Sequence, residues 1–277
     1  MKRKIFYITI LFVCMSSTVT FGIAPIGQPA SNLRKGWLSG GIDFSHSEVD
    51  FITSNIDNMA YFTDGTLEDY KIDLLLGKAG YGIKNNWEVF AGLGFAKTDF
   101  GGKREEHEEW GDLSGIRHET FDGDGDLGHA FQIGTKATLY ERALLKAGVM
   151  CQLTWLNMTG TLENTAYKDE IFISTGETEL ETDMMILQFA GGLSYQLSFG
   201  VSLYGGPLFQ WIDGDITSSG QTGHFIGKSG SVDIEGDSSF GGWAGIKADI
   251  DIFTSLNLEY QMTGSSGTIG LSLTSKF

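Results

Sequence analysis

The sequence predicts an all-β chain folded as a transmembrane antiparallel up-and-down β-barrel of about ten strands. Three observations predict it. Apolar residues recur at every second position in segment after segment, which is the period of a strand with one apolar face. The connections alternate between tight turns and long, charged segments. No apolar run approaches the roughly 20 residues that a membrane helix needs, so a membrane crossing has to use strands, and only a closed barrel pairs every strand hydrogen bond in lipid.

The amino-terminal residues 1–22 read as a signal peptide. Lys2, Arg3 and Lys4 form a basic start, Ile5 to Val13 is apolar, and Thr20 and Gly22 are small residues at cleavage spacing, so the cut is expected near Gly22. Residues 23–35, with Pro25 and Pro29 among small polar residues, read as a flexible periplasmic lead-in, with folding back into the barrel mouth as the alternative, and 36–277 as the barrel. Removing the signal leaves 16 basic residues against 35 acidic ones, a net charge of −19, which argues against nucleic-acid binding. Cys151 is then the sole cysteine, so no intrachain disulfide forms.

Each strand follows from its alternation. The first is expected over 36–51, opening on Gly36-Trp37-Leu38. The second, 68–83, carries Tyr70, Ile72, Leu74 and Leu76 on the face expected to meet lipid. Its apolar phase shifts to Ala79, Tyr81 and Ile83 past Lys78, which predicts a bulge there. The third, 87–100, shows Trp87, Val89, Ala91, Leu93 and Phe95, and the fourth, 126–140, shows Leu127, Phe131, Ile133, Ala137 and Leu139. The fifth, 143–159, has Leu145 to Trp155 in step, and the sixth, 183–197, has Met185 to Tyr195. The last four are 201–214, 239–251, 256–263 and 267–277, ending with Ile269, Leu271, Leu273 and Phe277 in step.

Lys84-Asn85-Asn86, Glu141-Arg142, Ser198-Phe199-Gly200 and Ile252 to Ser255 read as tight turns. Between them lie long loops at 52–67, 101–125, 160–182 and 215–238. Short turns at one end and long loops at the other is the layout of outer-membrane barrels. Aromatic residues fall where interface girdles belong: Trp87, Tyr140, Tyr195 and Phe277 toward the short turns, Trp155 and Trp211 toward the long loops.

A chain with such a start, such turns and a last strand ending on Phe277 resembles the small bacterial outer-membrane β-barrel proteins, the porin-like and OmpA-like class. The resemblance implies a place in the outer membrane, contact with its lipid, and insertion by machinery that reads the terminal strand. It names no activity.

Function is sought inside the barrel and in its loops. Glu88, Lys136, Lys146, Lys247, Asp249 and Glu259 are expected to face the lumen near the short turns as a belt of mixed sign. Such groups should find each other or water, because unpaired buried charge is costly. Lys71, Asp73, Gln132, Gln152, Gln188, Tyr204, Gln210 and Asn257 are placed on the same inward faces. Ten strands lie close to the eight at which side chains fill a barrel, so an occluded or narrow lumen is expected. The alternative is a narrow channel for small solutes, constricted by the belt.

Taken with their flanks, as 52–69, 101–126, 160–182 and 213–238, the long segments hold 24 of the 35 acids, which reads as a solvated, repulsive surface. Asp122, Asp124 and Asp126 alternate with glycines and suit a calcium ion's oxygen preference. The tract resembles the start of an EF-hand loop, but Leu127 stands where that loop needs glycine and no glutamate follows at the right distance. No catalytic constellation emerges. Ten strands is the count of the omptin proteases, yet their paired aspartates and Asp–His pair do not map onto this chain. Ser45-His46-Ser47-Glu48 is the nearest approach to a hydrolase motif, and neighbouring strand residues point to opposite faces. The chain is therefore expected to be non-catalytic, with a structural or surface-interaction role.

Overall fold

The computed structural model describes residues 24–277, except 32, 58–64, 111–112, 169–170, 198–199, 223–229, 237–239 and 265. The signal segment lies outside the described residues. Twelve strands form one antiparallel sheet: β1 Leu38–Asp57, β2 Gly65–Lys84, β3 Trp87–Trp110, β4 Leu113–Gly125, β5 Gly128–Arg142, β6 Leu145–Lys168, β7 Ile171–Gln196, β8 Val201–Thr222, β9 Gly230–Gly236, β10 Phe240–Asp249, β11 Thr254–Thr263 and β12 Ser266–Lys276. β5 and β4 pair in succession with β3, and β10 and β9 in succession with β8. Each couple is one wall strand with a break, so the twelve elements make ten strands around the membrane half.

The ring closes where β12 pairs with β1, from Ser39 opposite Lys276 to Val49 opposite Ser266. Beyond Val49 the partner changes: Phe51 of β1 stands opposite Gly236 of β9. The β11–β12 hairpin ends at that level, so above it β9 takes the place of the β10–β11–β12 run and the wall drops from ten strands to eight.

The wall also reaches farther than the alternation suggests. The segments expected as long loops are largely strand: β3 and β4 pair from Asp99–Asp124 to Trp110–Leu113, and β6 and β7 from Leu145–Tyr195 to Lys168–Ile171. Outside lipid a strand needs no apolar outer face, so these extensions carry acids and threonines and read as loops in sequence. At the short-turn end, two residues join β2 to β3 and two join β5 to β6. At the β10–β11 turn, Asp251 accepts hydrogen bonds from the backbone N–H groups of Phe253 and Thr254, each 2.7 Å, and these hold its carboxyl below the usual range.

Outward faces in the lower half are apolar. Leu38, Ile42, Phe44, Leu93, Phe95, Phe131, Leu139, Leu193, Phe209, Leu271 and Leu273 are among the exposed large side chains there. Trp87, Tyr140, Trp155, Tyr195, Trp211 and Phe277 all point outward with them. Trp155 stacks on Phe131 at 5.3 Å between ring centres, and Trp87 donates from its indole N–H to the Thr135 hydroxyl at 2.6 Å. The rings thus show an apolar face to lipid with a polar handle kept satisfied.

The interior changes character with height, and this corrects the reading of β2. Tyr70, Ile72, Leu74 and Leu76 are fully buried and point inward, while Lys71 and Asp73 point outward. The even positions of β2 face the lumen without interruption down through Lys78 and Gly80. No bulge occurs at Lys78; the pairing is continuous there with both neighbours. What switches is the apolar face. In the upper half the inside is greasy and the outside wet, and in the lower half the outside is greasy and the inside polar. The upper interior is packed by Val49, Phe51, Tyr70, Ile72, Met158, Met184, Ile186, Ile212 and Ile234 with their neighbours, a core like that of a soluble protein.

Candidate functional site: the occupied lumen

The lead-in takes the alternative course. The described residues from Ala24 to Ser31, and Leu33, do not trail into the periplasm but lie inside the barrel, where Ala24, Ile26, Gln28, Ala30, Ser31 and Leu33 are buried. The physical reason is a supply of partners. A short segment without helix or strand has unmet backbone groups, and the polar lower lumen provides their counterparts.

Glu259 of β11 accepts from the successive backbone N–H groups of Ile26 and Gly27. Two adjacent amides aimed at one anion form a backbone nest, and Gly27 supplies the left-handed conformation it needs, with φ of +68°. Lys136 of β5 donates from Nζ to the Ile26 carbonyl oxygen at 2.6 Å. One peptide is thus gripped by an anion on its N–H side and a cation on its C=O side. Nearer the periplasm, Glu88 of β3 accepts from the Ser31 hydroxyl at 3.0 Å and the Leu33 N–H at 3.1 Å. The Gln28 side-chain amide donates to the Ser194 hydroxyl of β7. The segment is a plug tied to at least four wall strands.

The belt residues expected from sequence all stand on inward faces, in two groups. Glu88, Lys136 and Glu259 hold the plug. Lys247 pairs with Asp249 at 2.9 Å, and Lys146 pairs with Glu141 at 2.8 Å near the rim. A further pair escaped the sequence reading: Lys78 meets Asp43 at 2.8 Å inside the barrel, with the ammonium 4.4 Å from the centre of the Phe90 ring. The inverted face assigned to β2 hid Lys78. Beside the plug, Asp43, Lys78, Glu88, Lys136 and Lys247 line a cavity of about 90 Å³, together with Asn257 and Lys276.

Above the plug lies a layer of glutamines. Gln152 donates to Gln188 at 2.6 Å; Gln188 donates to Gln210 at 2.8 Å and Gln261 at 3.1 Å; Gln210 donates to Ser266 at 3.3 Å. Gln261 also donates to the Ala24 carbonyl at 2.7 Å, so the tip of the plug joins the layer. Gln132 donates to Thr154 at 3.0 Å. Uncharged amides suit this level because they bond to each other and to the plug without burying net charge.

The remaining sequence candidates separate. His46 points outward and bonds Asp73 at 2.7 Å, whereas Ser45 and Ser47 are buried on the inward face. The rim histidine and its flanking serines are thus on opposite sides of the wall. Asp122 and Asp124 fall within β4, opposite Gly101 and Asp99 of β3, rather than in a loop. Their side chains lie outside the described ones. Asp126 occupies the break after β4, and its N–H donates to the Thr159 carbonyl at 2.7 Å.

No family model matches the chain, and no curated protein matches it. Among solved structures it is similar to the outer membrane protease OmpT from Escherichia coli, at 9% identity and a TM-score of 0.46 over 87% of this chain and 97% of that one. It is similar to the outer membrane protein OprG from Pseudomonas aeruginosa, at 11% identity and a TM-score of 0.37 over 88% and 97%. It is also similar to Ail, the attachment invasion locus protein of Yersinia pestis, at 16% identity and a TM-score of 0.33 over 88% and 99%. The class of the chain rests on its own geometry. A closed antiparallel ring, an apolar band with aromatic residues facing lipid, tight turns at one end and a polar lower interior make it a transmembrane β-barrel of the bacterial outer-membrane class.

Proposed function

We propose that this is a non-conducting outer-membrane barrel that serves as a rigid surface protein, its tall upper wall carrying an acidic exterior. The observation that carries the reading is the double closure of the lumen. The plug and glutamine layer fill the lower half, and the apolar core fills the upper half. A hydrated solute path needs a continuous polar bore, and the upper interior offers Ile, Met and Tyr side chains instead. The outside of the upper wall presents Glu181, Asp183, Asp213, Asp215, Asp233 and Glu235 on three adjacent strands, which keeps it soluble and repels other acidic surfaces.

The absence of catalysis is part of the proposal. It is supported by the separation of His46 from Ser45 and Ser47, since a seryl nucleophile needs its base within hydrogen-bond reach.

Planar-bilayer recording of the refolded full-length barrel tests the reading. Flat traces are expected. Reproducible single-channel steps would overturn it in favour of a small-solute channel.

A further inference from the structure

We infer that the lumen is a binding site for the chain's own processed amino terminus. The ligand is a primary ammonium, created when the signal segment is cut, and its acceptors are the side-chain carbonyl oxygens of Gln132 and Gln152 above the plug.

The inference rests on the occupied lumen described above and starts from its deepest point. The plug climbs from Leu33, beside Glu88, to Ala24, which is fully buried against the apolar core. The Ala24 carbonyl takes hydrogen bonds from Gln261 at 2.7 Å and Gln152 at 3.4 Å. The donors of this layer are used: Gln132 Nε2 on Thr154, Gln152 Nε2 on Gln188 and on the plug. Two acceptors are left over. Gln132 Oε1 and Gln152 Oε1 are buried and have no hydrogen-bond partner among the described residues, with the side chains 0% and 1% exposed. A buried acceptor without a donor is destabilising.

The group that fits two spare acceptors is compact and rich in donors. An ammonium donates three hydrogen bonds and accepts none. The sequence places the cut near Gly22, so the new amine is one residue, about 3.8 Å of chain, before Ala24. Its charge is matched inside the barrel by Glu259, whose carboxylate already holds Ile26 and Gly27 and also receives Gln261 at 2.9 Å. Ala24 itself packs into the apolar core with Tyr70, Ile72, Met184, Ile186 and Ile212, so an amine beside it is shielded from bulk water.

The test is amine acetylation of the protein recovered from outer membranes, read by mass spectrometry of the amino-terminal peptide. Lys35, which is exposed, is the internal reference. In the folded barrel the α-amine is expected to react roughly tenfold or more slowly than Lys35, as burial protects it, and faster than Lys35 once unfolded, because a free α-amine is less protonated near neutral pH. An α-amine that reacts as fast as Lys35 in the folded barrel overturns the inference. The Gln132→Leu/Gln152→Leu variant is expected to lose the protection while its barrel still forms.

A second arm adds eight Gly and Ser residues between Gly22 and Ile23, in a Cys151→Ser background carrying Ala30→Cys. Ala30 is fully buried, so maleimide should label the cysteine only when the extension keeps the plug out. Continued protection in the extended chain overturns the inference. Conductance with a protected amine would defeat the non-conducting reading alone, and a reactive amine in a silent barrel would defeat this one alone.

Discussion

Asp183 of β7 and Asp215 of β8 stand directly opposite each other on the outer face of the wall, and Asp233 of β9 stands opposite Asp215 on its other side. Like charges in direct cross-strand register repel. Partial burial raises the Asp215 carboxyl above its ordinary range, and the neighbouring Asp183, Asp233, Glu181 and Asp213 push it the same way. The folded barrel therefore binds this proton more tightly than the unfolded chain. The stability it brings is full below the ordinary aspartate range and is lost as pH rises through the raised value. Asp215→Asn should raise the urea midpoint in detergent at neutral pH, and the gain should vanish on acidification past the ordinary aspartate range. An equal gain at both pH values would refute the account.

Gly27 sits in the left-handed region, and a Cβ there would meet Lys136 Nζ at 3.0 Å. Gly27→Ala should weaken plug seating by about 1–2 kcal/mol through the backbone alone. Gly36, with φ of +82° and nothing within 4 Å of an added Cβ, bears a similar backbone cost outside the lumen. Hydrogen exchange over 24–33 should quicken in the Gly27 variant and stay unchanged in Gly36→Ala.

Leu74 and Leu75 are adjacent on β2 but face opposite ways, the first fully buried and the second 47% exposed. Leu74→Lys puts an unpaired charge into the apolar core and should prevent refolding or lower the urea midpoint severely. Leu75→Lys, on the lipid face between Phe44 and Phe95, should cost less, up to about 2–4 kcal/mol. The reverse order would mean that β2 has the opposite phase.

Lys78 and Asp43 form a buried pair at 2.8 Å. Lys78→Met leaves the Asp43 carboxylate unmatched and should cost about 3–5 kcal/mol. The Lys78→Met/Asp43→Asn double variant should recover most of that loss in the same urea titration. Additive losses would show that the two charges do not depend on each other.

The lower barrel was legible because lipid imposes one rule on every strand there. Wherever a strand touches lipid, as at Leu93–Phe95 or Leu271–Leu273, apolar means outside. The same rule applied above the lipid boundary gives the wrong answer, because water replaces lipid and the greasy side turns inward. Tyr70 and Ile72 lie on that side of the boundary, Leu74 and Leu76 still face inward level with Phe44 and Phe95, and nothing in their spacing marks the crossing. The inward faces of Glu88, Lys136 and Glu259 were readable from alternation. Their role was not, since it depends on a segment with no period of its own. Pro25, Gly27 and Pro29 look like any linker until the wall supplies partners for their backbone. The upper strands were hidden for a related reason: a wall wetted on its outer face can carry Glu179, Glu181 and Asp183 at alternate positions, which in sequence suggests a loop.

The change of partner along β1, from β12 at Val49 to β9 at Phe51, bears on how the barrel is sealed during assembly. Antiparallel strands can slide by two residues and keep every side chain on its proper face, so alternation alone does not fix where the last strand docks. Here the berth has a stop. The upper part of β1 is already taken by β9, and a break in register between Val49 and Phe51 marks the boundary on the β2 side as well. The final hairpin can advance no farther than Ser266 against Val49. That end-stop measures the closing strand from above and leaves Phe277 at the rim, where its backbone exchanges hydrogen bonds with Leu38.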